Sequence, residues 1–464
     1  MAEPARERLL VIGGDAAGMS AASQARRRRG PDELEIVALE RGSFTSYSAC
    51  GIPYYVGGVV ADADALIART PAEFRERGID VRLGREAVEI DPDRGRVRVR
   101  ELDGGAERWE GYDHLMVATG AVPSRPDLPG ADAAGVHGVQ VLGDGIEIRR
   151  ELEARAPRRA VVVGGGYIGL EMAEALVMRG VEVTLVDGAE QPMRTLDPDM
   201  GALVADALRG VGVRLRLGER VEGFDTEGGR VTAVRASGGV LPADLVILGL
   251  GVRPDSALAD AAGIPVGPTG GIVTDRRMRT GAERVWAAGD CVETRHLVSG
   301  GPVAIALGTH ANKQGRVAGI NLGGGYATFP GVVGTAVSKI CKVEVARTGL
   351  NEAEAAAAGF AALSATVQST TRAGYHPGAT AMRTKLVAER RTGRLLGAQI
   401  VGEEGAAKRV DGLAIALWNG MTVEEMTGLD LGYAPPFSPV WDPVLIAARK
   451  TAERIEEDMR GTAP

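Results

Sequence analysis

Between Ala160 and Asp187 the chain reads AVVVGGGYIGLEMAEALVMRGVEVTLVD. An apolar run of strand length stops at a cluster of glycines. A helical stretch follows, and a second apolar run ends on an acid. Few folds accept that order. Gly164, Gly166 and Gly169 let the backbone come close to a pyrophosphate, and the start of the helix offers free N–H groups and the positive end of its dipole. Asp187 is placed to bond the hydroxyls of a ribose and to repel a 2′-phosphate, so NADH is expected in preference to NADPH. This stretch alone predicts a parallel α/β unit that binds a dinucleotide.

The same order occurs earlier. Arg8 to Ile12 (RLLVI) reads as a buried strand, GGDAAG follows with an Ala-rich helix, and LEIVALE ends on Glu40. Gly13 and Gly18 occupy the first and third glycine positions, while Asp15 stands at the second. A carboxylate beside a pyrophosphate is unfavourable unless it points away. Two further stretches belong with these turns. YDHLMVATGAVPSRPDLPG reads as a buried strand that breaks at Thr119 and Gly120 into a Pro-rich crossing. VWAAGDC is a strand ending near Asp290, which is placed either to reach the sugar alcohol of a cofactor or to cap a helix. Two dinucleotide folds in one chain imply two cofactors that exchange electrons.

Composition narrows the class further. A chain of 464 residues with 45% hydrophobic and 25% charged residues calls for several soluble domains. A net charge of −7 offers no broad attraction to nucleic acid or to an acidic membrane. Three cysteines, Cys50, Cys291 and Cys341, are too few for a secreted disulfide framework and suit a reducing cytosol. The opening MAEPARERLLVIGG has no apolar signal core, and no run is long enough to span a bilayer. A cytoplasmic protein without nucleic-acid or membrane partners is expected. Cys291 follows the AAGD turn and Cys341 lies in a strand-like SKICKVEVA; they have no metal-ligand spacing and read as structural, as do His310 and the interface helix in NEAEAAAAGF. No metal site is expected.

Taken together, GGDAAG with Glu40, VATG, GGGYIGLE with Asp187, and AAGD resemble the two-dinucleotide-domain flavoproteins, the pyridine nucleotide–disulfide oxidoreductases, from about residue 8 to about residue 450. The resemblance implies an α/β fold: two Rossmann-like domains plus an α+β C-terminal dimerisation domain. It implies an FAD domain at residues 1–118 and 248–326, an NAD(H) domain at 119–247 and a dimerisation domain at 327–464. FAD would be held through Gly13, Gly18, Glu40, Thr119, Gly120 and Asp290. NADH would be held through Gly164, Gly166, Gly169 and Asp187, with Tyr167 as a gate over the flavin and Glu171 flanking the nicotinamide.

Within that family SYSACGIPYYVGG discriminates. Dithiol members such as mercuric reductase carry a second cysteine five positions on, where this chain has Tyr55. Cys50 therefore has no local partner, and the chain resembles the single-cysteine branch: coenzyme A disulfide reductases, NADH oxidases and NADH peroxidases. Peroxidases use a histidine in the first glycine turn, where Ala16 stands here. Cys-Gly-aliphatic-Pro-Tyr is similar to the coenzyme A disulfide reductases, which implies substrate contacts at Arg27, Ser46, Tyr375 and His376. Two positions depart from their pattern: Ala49 replaces an asparagine, and His376 replaces the second tyrosine of a YYPG segment. YAPPFSPVWDP is similar to the YAPPYS stretch whose tyrosine crosses a homodimer, so Tyr433 is the implied proton donor to the leaving thiolate.

The implied reaction carries electrons from NADH through FAD and Cys50 to a small disulfide or persulfide, with coenzyme A disulfide the first candidate. A free thiol is only a few per cent ionised at neutral pH, and a helix N-terminus near Cys50 is expected to raise that fraction. Two alternatives accompany this reading. One is an NADH oxidase that reduces oxygen through a cysteine sulfenic acid. The other is an NADH-sensing flavoprotein with incidental turnover.

Overall fold

A computed structural model describes residues 6–461. The extreme termini, including the first five residues of the N-terminal stretch read for a leader, lie outside the described residues.

The first glycine turn sits in a five-stranded parallel sheet in which Glu7–Ile12 is central. Leu34–Leu39 and Asp80–Arg82 lie on one side of it, with His114–Val117 and Val285–Ala287 on the other. The order of strands reverses beside Glu7–Ile12, so a crevice opens at its carboxyl end, where ligands of such sheets bind. The long return of the chain from residue 118 to residue 285 delivers the last strand of this sheet. Helix Ala16–Arg26 packs along helix Gly308–Leu322. Their close approach needs glycine: a Cβ at Gly315 would lie 2.2 Å from the Ala17 carbonyl oxygen, and one at Gly319 would lie 2.3 Å from that of Ala21.

The second glycine turn heads a second parallel sheet, built on Arg159–Val163, Glu182–Asp187, Arg214–Leu217, Leu245–Leu248 and Val136–Gly138. Alternation along its strands explains why they read as unbroken apolar runs. Ala160, Val162, Leu245 and Ile247 face a helical layer, whereas Val161, Val163, Val246 and Leu248 face a three-stranded antiparallel sheet. A two-stranded ribbon, Ala121–Pro123 against Val252–Pro254, carries the chain between the two sheets. Gly120 opens it at φ +74°, a conformation that favours glycine.

The C-terminal region is an antiparallel five-stranded sheet in the order Ala336–Ile340, Val343–Gly349, Leu395–Gly402, Ala381–Glu389, Ala362–Thr370. Helices Val410–Trp418 and Pro443–Gly461 close its core. Two expectations from the sequence are corrected here. SKICKVEVA is not one strand: Ile340 pairs with Val343, so Cys341 and Lys342 form the turn of a hairpin, with Cys341 at φ +57°. Asp290 caps no helix, because it lies in a turn and the next helix begins at Gly308.

Candidate active site

The two glycine turns are built alike. Gly13 has φ +106° and Gly164 has φ +103°, and each turn is locked by the glycine that closes its helix onto the strand. A Cβ at Gly18 would lie 2.0 Å from the Gly13 carbonyl oxygen, and one at Gly169 would lie 1.9 Å from that of Gly164. The strand-end acids do more than the sequence indicates. Glu40 accepts from the N–H groups of Gly14 (2.8 Å) and Gly42 (2.6 Å). Asp187 accepts from those of Gly165 (2.5 Å) and Ala189 (2.8 Å). Each acid laces its own glycine turn while standing where a ribose would lie. Gly14 and Gly165 are thus positions at each turn that the motif alone passes over. The signal is a second adjacent glycine in both copies, where a side chain would crowd the acid: a Cβ at Gly14 would lie 2.9 Å from Glu40 Cβ.

Both turns fit a dinucleotide. Gly166 is exposed, and a Cβ there would meet nothing within 4 Å, so the backbone is bare toward a cleft of about 600 Å³. Tyr167, Asp187, Thr195 and Leu250 line that cleft. At the first turn Asp15 takes the place of Gly166. Burial raises its carboxyl to about 6, and the backbone N–H groups of Tyr47 and Ala16 counter that rise. Asp290 is likewise raised to about 6 by burial. Its turn is held from helix Gly308–Leu322 by Gln314, which accepts from the Gly289 N–H at 2.8 Å. Thr119 donates to the Asp255 carbonyl oxygen at 2.5 Å and so ties the crossing to the returning segment.

Cys50 lies in a single 3₁₀ turn, Ala49–Gly51, ahead of the short helix Ile52–Gly57. That helix packs on helix Tyr167–Met178 of the second sheet, where a Cβ at Gly57 would come within 3.3 Å of Ala175 Cα. The contact brings Cys50 within electrostatic reach of Glu171 as well as of Asp290 and Asp15. Cys50 is exposed to solvent from one side, yet its thiol is pushed above the ordinary value, first by burial and then by the Glu171 carboxylate. The expectation of an activating helix N-terminus is thereby corrected: partial desolvation and a neighbouring anion outweigh a helix of six residues. Glu171 is itself raised by burial, and it accepts from Ser338 Oγ of the C-terminal sheet at 2.9 Å. Tyr167 opens its helix and is raised by burial beside Thr195.

Cys291 is fully buried, its thiol directed to the carbonyl oxygens of Ala288 (3.4 Å) and Val117 (3.7 Å). Cys341 lies beside Glu174, with its thiol raised to about 11. Ser46 is drawn to the first glycine turn, where its N–H donates to the Gly14 carbonyl oxygen at 3.0 Å. Arg27 is exposed at the far end of helix Ala16–Arg26, roughly 16 Å along the axis from the turn.

Tyr433, Tyr375 and His376 are not brought to Cys50 within the chain. They lie on the C-terminal region, where Tyr433 and Tyr375 are exposed together with Phe437, Val440 and Trp441. The Ala373 N–H donates to the Pro435 carbonyl oxygen (3.1 Å), which joins the Tyr375 and Tyr433 loops. Arg409, paired with Asp442 at 3.2 Å, donates to the Phe437 carbonyl oxygen at 2.7 Å and fixes the loop outward. Tyr433 is raised by local desolvation and then by the hydroxyl of Tyr375.

Comparison with known proteins matches residues 7–315 to the pyridine nucleotide-disulphide oxidoreductase family and residues 335–443 to its dimerisation domain. The chain is 41% identical to an NAD(P)H sulfur oxidoreductase (CoA-dependent) of Pyrococcus abyssi, over 96% of this chain and 98% of that one. It is 35% identical to an NADH oxidase of Methanocaldococcus jannaschii, over 97% and 99%. Its fold superposes on an NAD-dependent persulfide reductase from A. fulgidus with a TM-score of 0.94 and 40% identity, covering 97% of this chain and 84% of that chain. With both models matched in order along one chain, the chain belongs to the pyridine nucleotide–disulphide oxidoreductase family.

Proposed function

We propose that this oxidoreductase passes electrons from NADH to a low-molecular-weight disulfide or persulfide, with coenzyme A disulfide the first candidate, in the cytoplasm and as a homodimer. One observation carries the reading: Cys50 is the thiol that opens to solvent between the two dinucleotide turns, beside Glu171, Asp290 and Asp15, while Cys291 is sealed in the core. FAD, when bound, supplies the two-electron relay between nicotinamide and thiol. Gly13, Gly18, Glu40, Thr119, Gly120 and Asp290 would hold it, and Gly164, Gly166, Gly169 and Asp187 would hold NADH. Tyr167 would cover the nicotinamide side and Glu171 would flank it. The Cys50 thiolate attacks one sulfur of the substrate, forming a mixed disulfide and releasing the other half as a thiolate. Tyr433 of the partner subunit gives that leaving thiolate its proton.

A coenzyme A carrier is supported by surface charge. The seam between helices Ala16–Arg26 and Gly308–Leu322 exposes Arg27, Lys313 and Arg316, none with an acidic partner among the described residues. Phosphates of a long substrate would find three cations there. Ser46, Tyr375 and His376 would complete the pocket. A homodimer is supported by the dimerisation-domain match and by the exposed side chains of Tyr375, Tyr433, Phe437, Val440 and Trp441 on that domain. Among the described residues no helix is long and apolar enough to cross a membrane.

The second reading is an NADH oxidase, favoured by the Methanocaldococcus jannaschii relative. NADH consumption measured with coenzyme A disulfide, a persulfide, other disulfides and oxygen in turn separates the two. The Cys50→Ser variant should keep NADH reduction of artificial dyes and lose disulfide turnover. Mass spectrometry of the resting protein should find a thiol bound to Cys50. A single added oxygen would transfer the assignment to the oxidase, and undiminished disulfide turnover in the serine variant would end both.

A further inference from the structure

The wall of the NAD(H) cleft that faces the glycine turn is the segment Met193–Thr195. Within its own domain the segment is held by the buried side chains of Met193 and Leu196 and by the Leu196 N–H, which donates to the Met193 carbonyl oxygen at 2.8 Å. Met193 sits at φ +51°, a left-handed conformation costly for a residue with a side chain, and its N–H donates to the Gly165 carbonyl oxygen at 2.7 Å. The other end of the segment is fastened outside its own domain. Asp197 is 2% exposed, its N–H donates to Gln399 Oε1 at 2.7 Å, and its Oδ2 accepts from Gln399 Nε2 at 2.6 Å. Its Oδ1 accepts from the Glu352 N–H at 3.0 Å. Lys385, 4% exposed, reaches Asp197 at 3.1 Å, Asp199 at 2.8 Å and Glu352 at 3.4 Å.

These anchors form one row on the C-terminal sheet. Arg347, Gln399, Lys385 and Thr366 are consecutive cross-strand partners on four neighbouring strands. Thr366 Oγ1 donates to Asp199 Oδ2 at 2.9 Å, so two acids, at the start of helix Pro198–Gly210, are read by three strands at once. Such a row is a poor choice for adhesion alone, because burying an ion pair costs nearly as much as the pair returns. What it supplies is register: an apolar contact tolerates sliding, whereas a side-chain amide that bonds both the backbone N–H and the carboxylate of Asp197, and a shared ammonium, accept one position.

We propose that Lys385 and Gln399 are positioning residues for the dinucleotide site, holding the Met193–Thr195 wall through Asp197 so that the C-terminal sheet sets how NADH is gripped. This rests on the reading of the cleft as the NAD(H) site. Thr195 lies beside the Tyr167 hydroxyl, so a shift of the wall changes what the tyrosine meets.

The test uses the FAD-loaded protein and two half-reactions. Gln399→Leu removes both bonds to Asp197 without stranding a charge, and Lys385→Met removes the ammonium. Anaerobic stopped-flow mixing with NADH should show the Kd for NADH raised about tenfold in each, the loss of roughly one charge-assisted hydrogen bond. Reoxidation of the dithionite-reduced variants by disulfide should stay within about twofold of wild type. Lys385→Arg, which keeps the charge, should restore NADH binding. If Lys385→Met does not fold, Gln399→Leu carries the test. An unchanged NADH Kd alongside a lowered Tm would make the row mere structure, and equal loss in both half-reactions would also overturn the proposal. Failure of wild-type protein to take electrons from NADH would instead refute the reading of the cleft.

Discussion

Replacing Asp187 by alanine separates the discrimination of dinucleotides from their binding. In the cleft the carboxylate accepts two backbone N–H groups, from Gly165 at 2.5 Å and Ala189 at 2.8 Å, at the end of the strand that follows the glycine turn. Two terms follow from its removal. Losing charge-assisted contacts to the ribose and the lacing of the turn should cost NADH about 1.5–3 kcal/mol, or about ten- to a hundredfold in kcat/KM. Removing the anion should also relieve its repulsion of a 2′-phosphate. At a separation of about 5 Å and an effective dielectric constant of about 20, that repulsion is about 3 kcal/mol per unit of phosphate charge. The NADH to NADPH ratio of kcat/KM should therefore fall by about a thousandfold, allowing for screening. The assay is steady-state turnover with each dinucleotide at a fixed saturating acceptor. Raising the salt should narrow the wild-type preference if its origin is Coulombic. A wild-type protein that prefers NADPH, or an alanine variant whose ratio moves less than about tenfold, would refute the reasoning.

Glu171→Gln should lower the pKa of Cys50, because the Glu171 carboxylate is one of the groups that hold the thiol up. Iodoacetamide labelling of Cys50 in reduced protein should run faster in the variant near pH 8. The difference should shrink as the pH falls through the raised pKa of Glu171, where the wild-type acid becomes neutral; equal or slower labelling in the variant at high pH counts against it. Tyr433→Phe should leave flavin reduction by NADH intact and slow disulfide turnover about a hundred- to ten-thousandfold, as for loss of a general acid. A dimer structure with Tyr433 remote from every Cys50 would rule that role out. Arg27→Ala should raise KM for coenzyme A disulfide by about three- to tenfold, as for one exposed phosphate contact, and leave KM for a disulfide without phosphates unchanged. An equal rise for both substrates would remove Arg27 from the binding site.

Features that depend on neighbours in the chain are legible in the sequence alone. Gly164, Gly169 and Asp187 lie within one strand–turn–helix–strand unit, and steric exclusion at the turn leaves little choice of residue. Runs such as Ala160–Val163 are apolar throughout because both faces of their sheet are covered. The lack of a local partner for Cys50 can be read from Tyr55, five positions on. Properties set by long-range contacts are not legible there. The Cys50 thiol is raised first by burial, which overrules the local helix end, and then by Glu171, brought to it by a helix more than a hundred residues away. The Asp15 carboxyl is raised to about 6 by burial, countered in part by the Tyr47 backbone N–H, a group distant in the sequence. Cys341 occupies a hairpin turn because Ile340 pairs with Val343 across it. Lys385 is an unremarkable cation in its strand until Asp197, Asp199 and Glu352 surround it. Local sterics and periodicity are written into adjacent residues, whereas desolvation and charge depend on which distant segments fold against one another, and that is decided only when the three sheets come together.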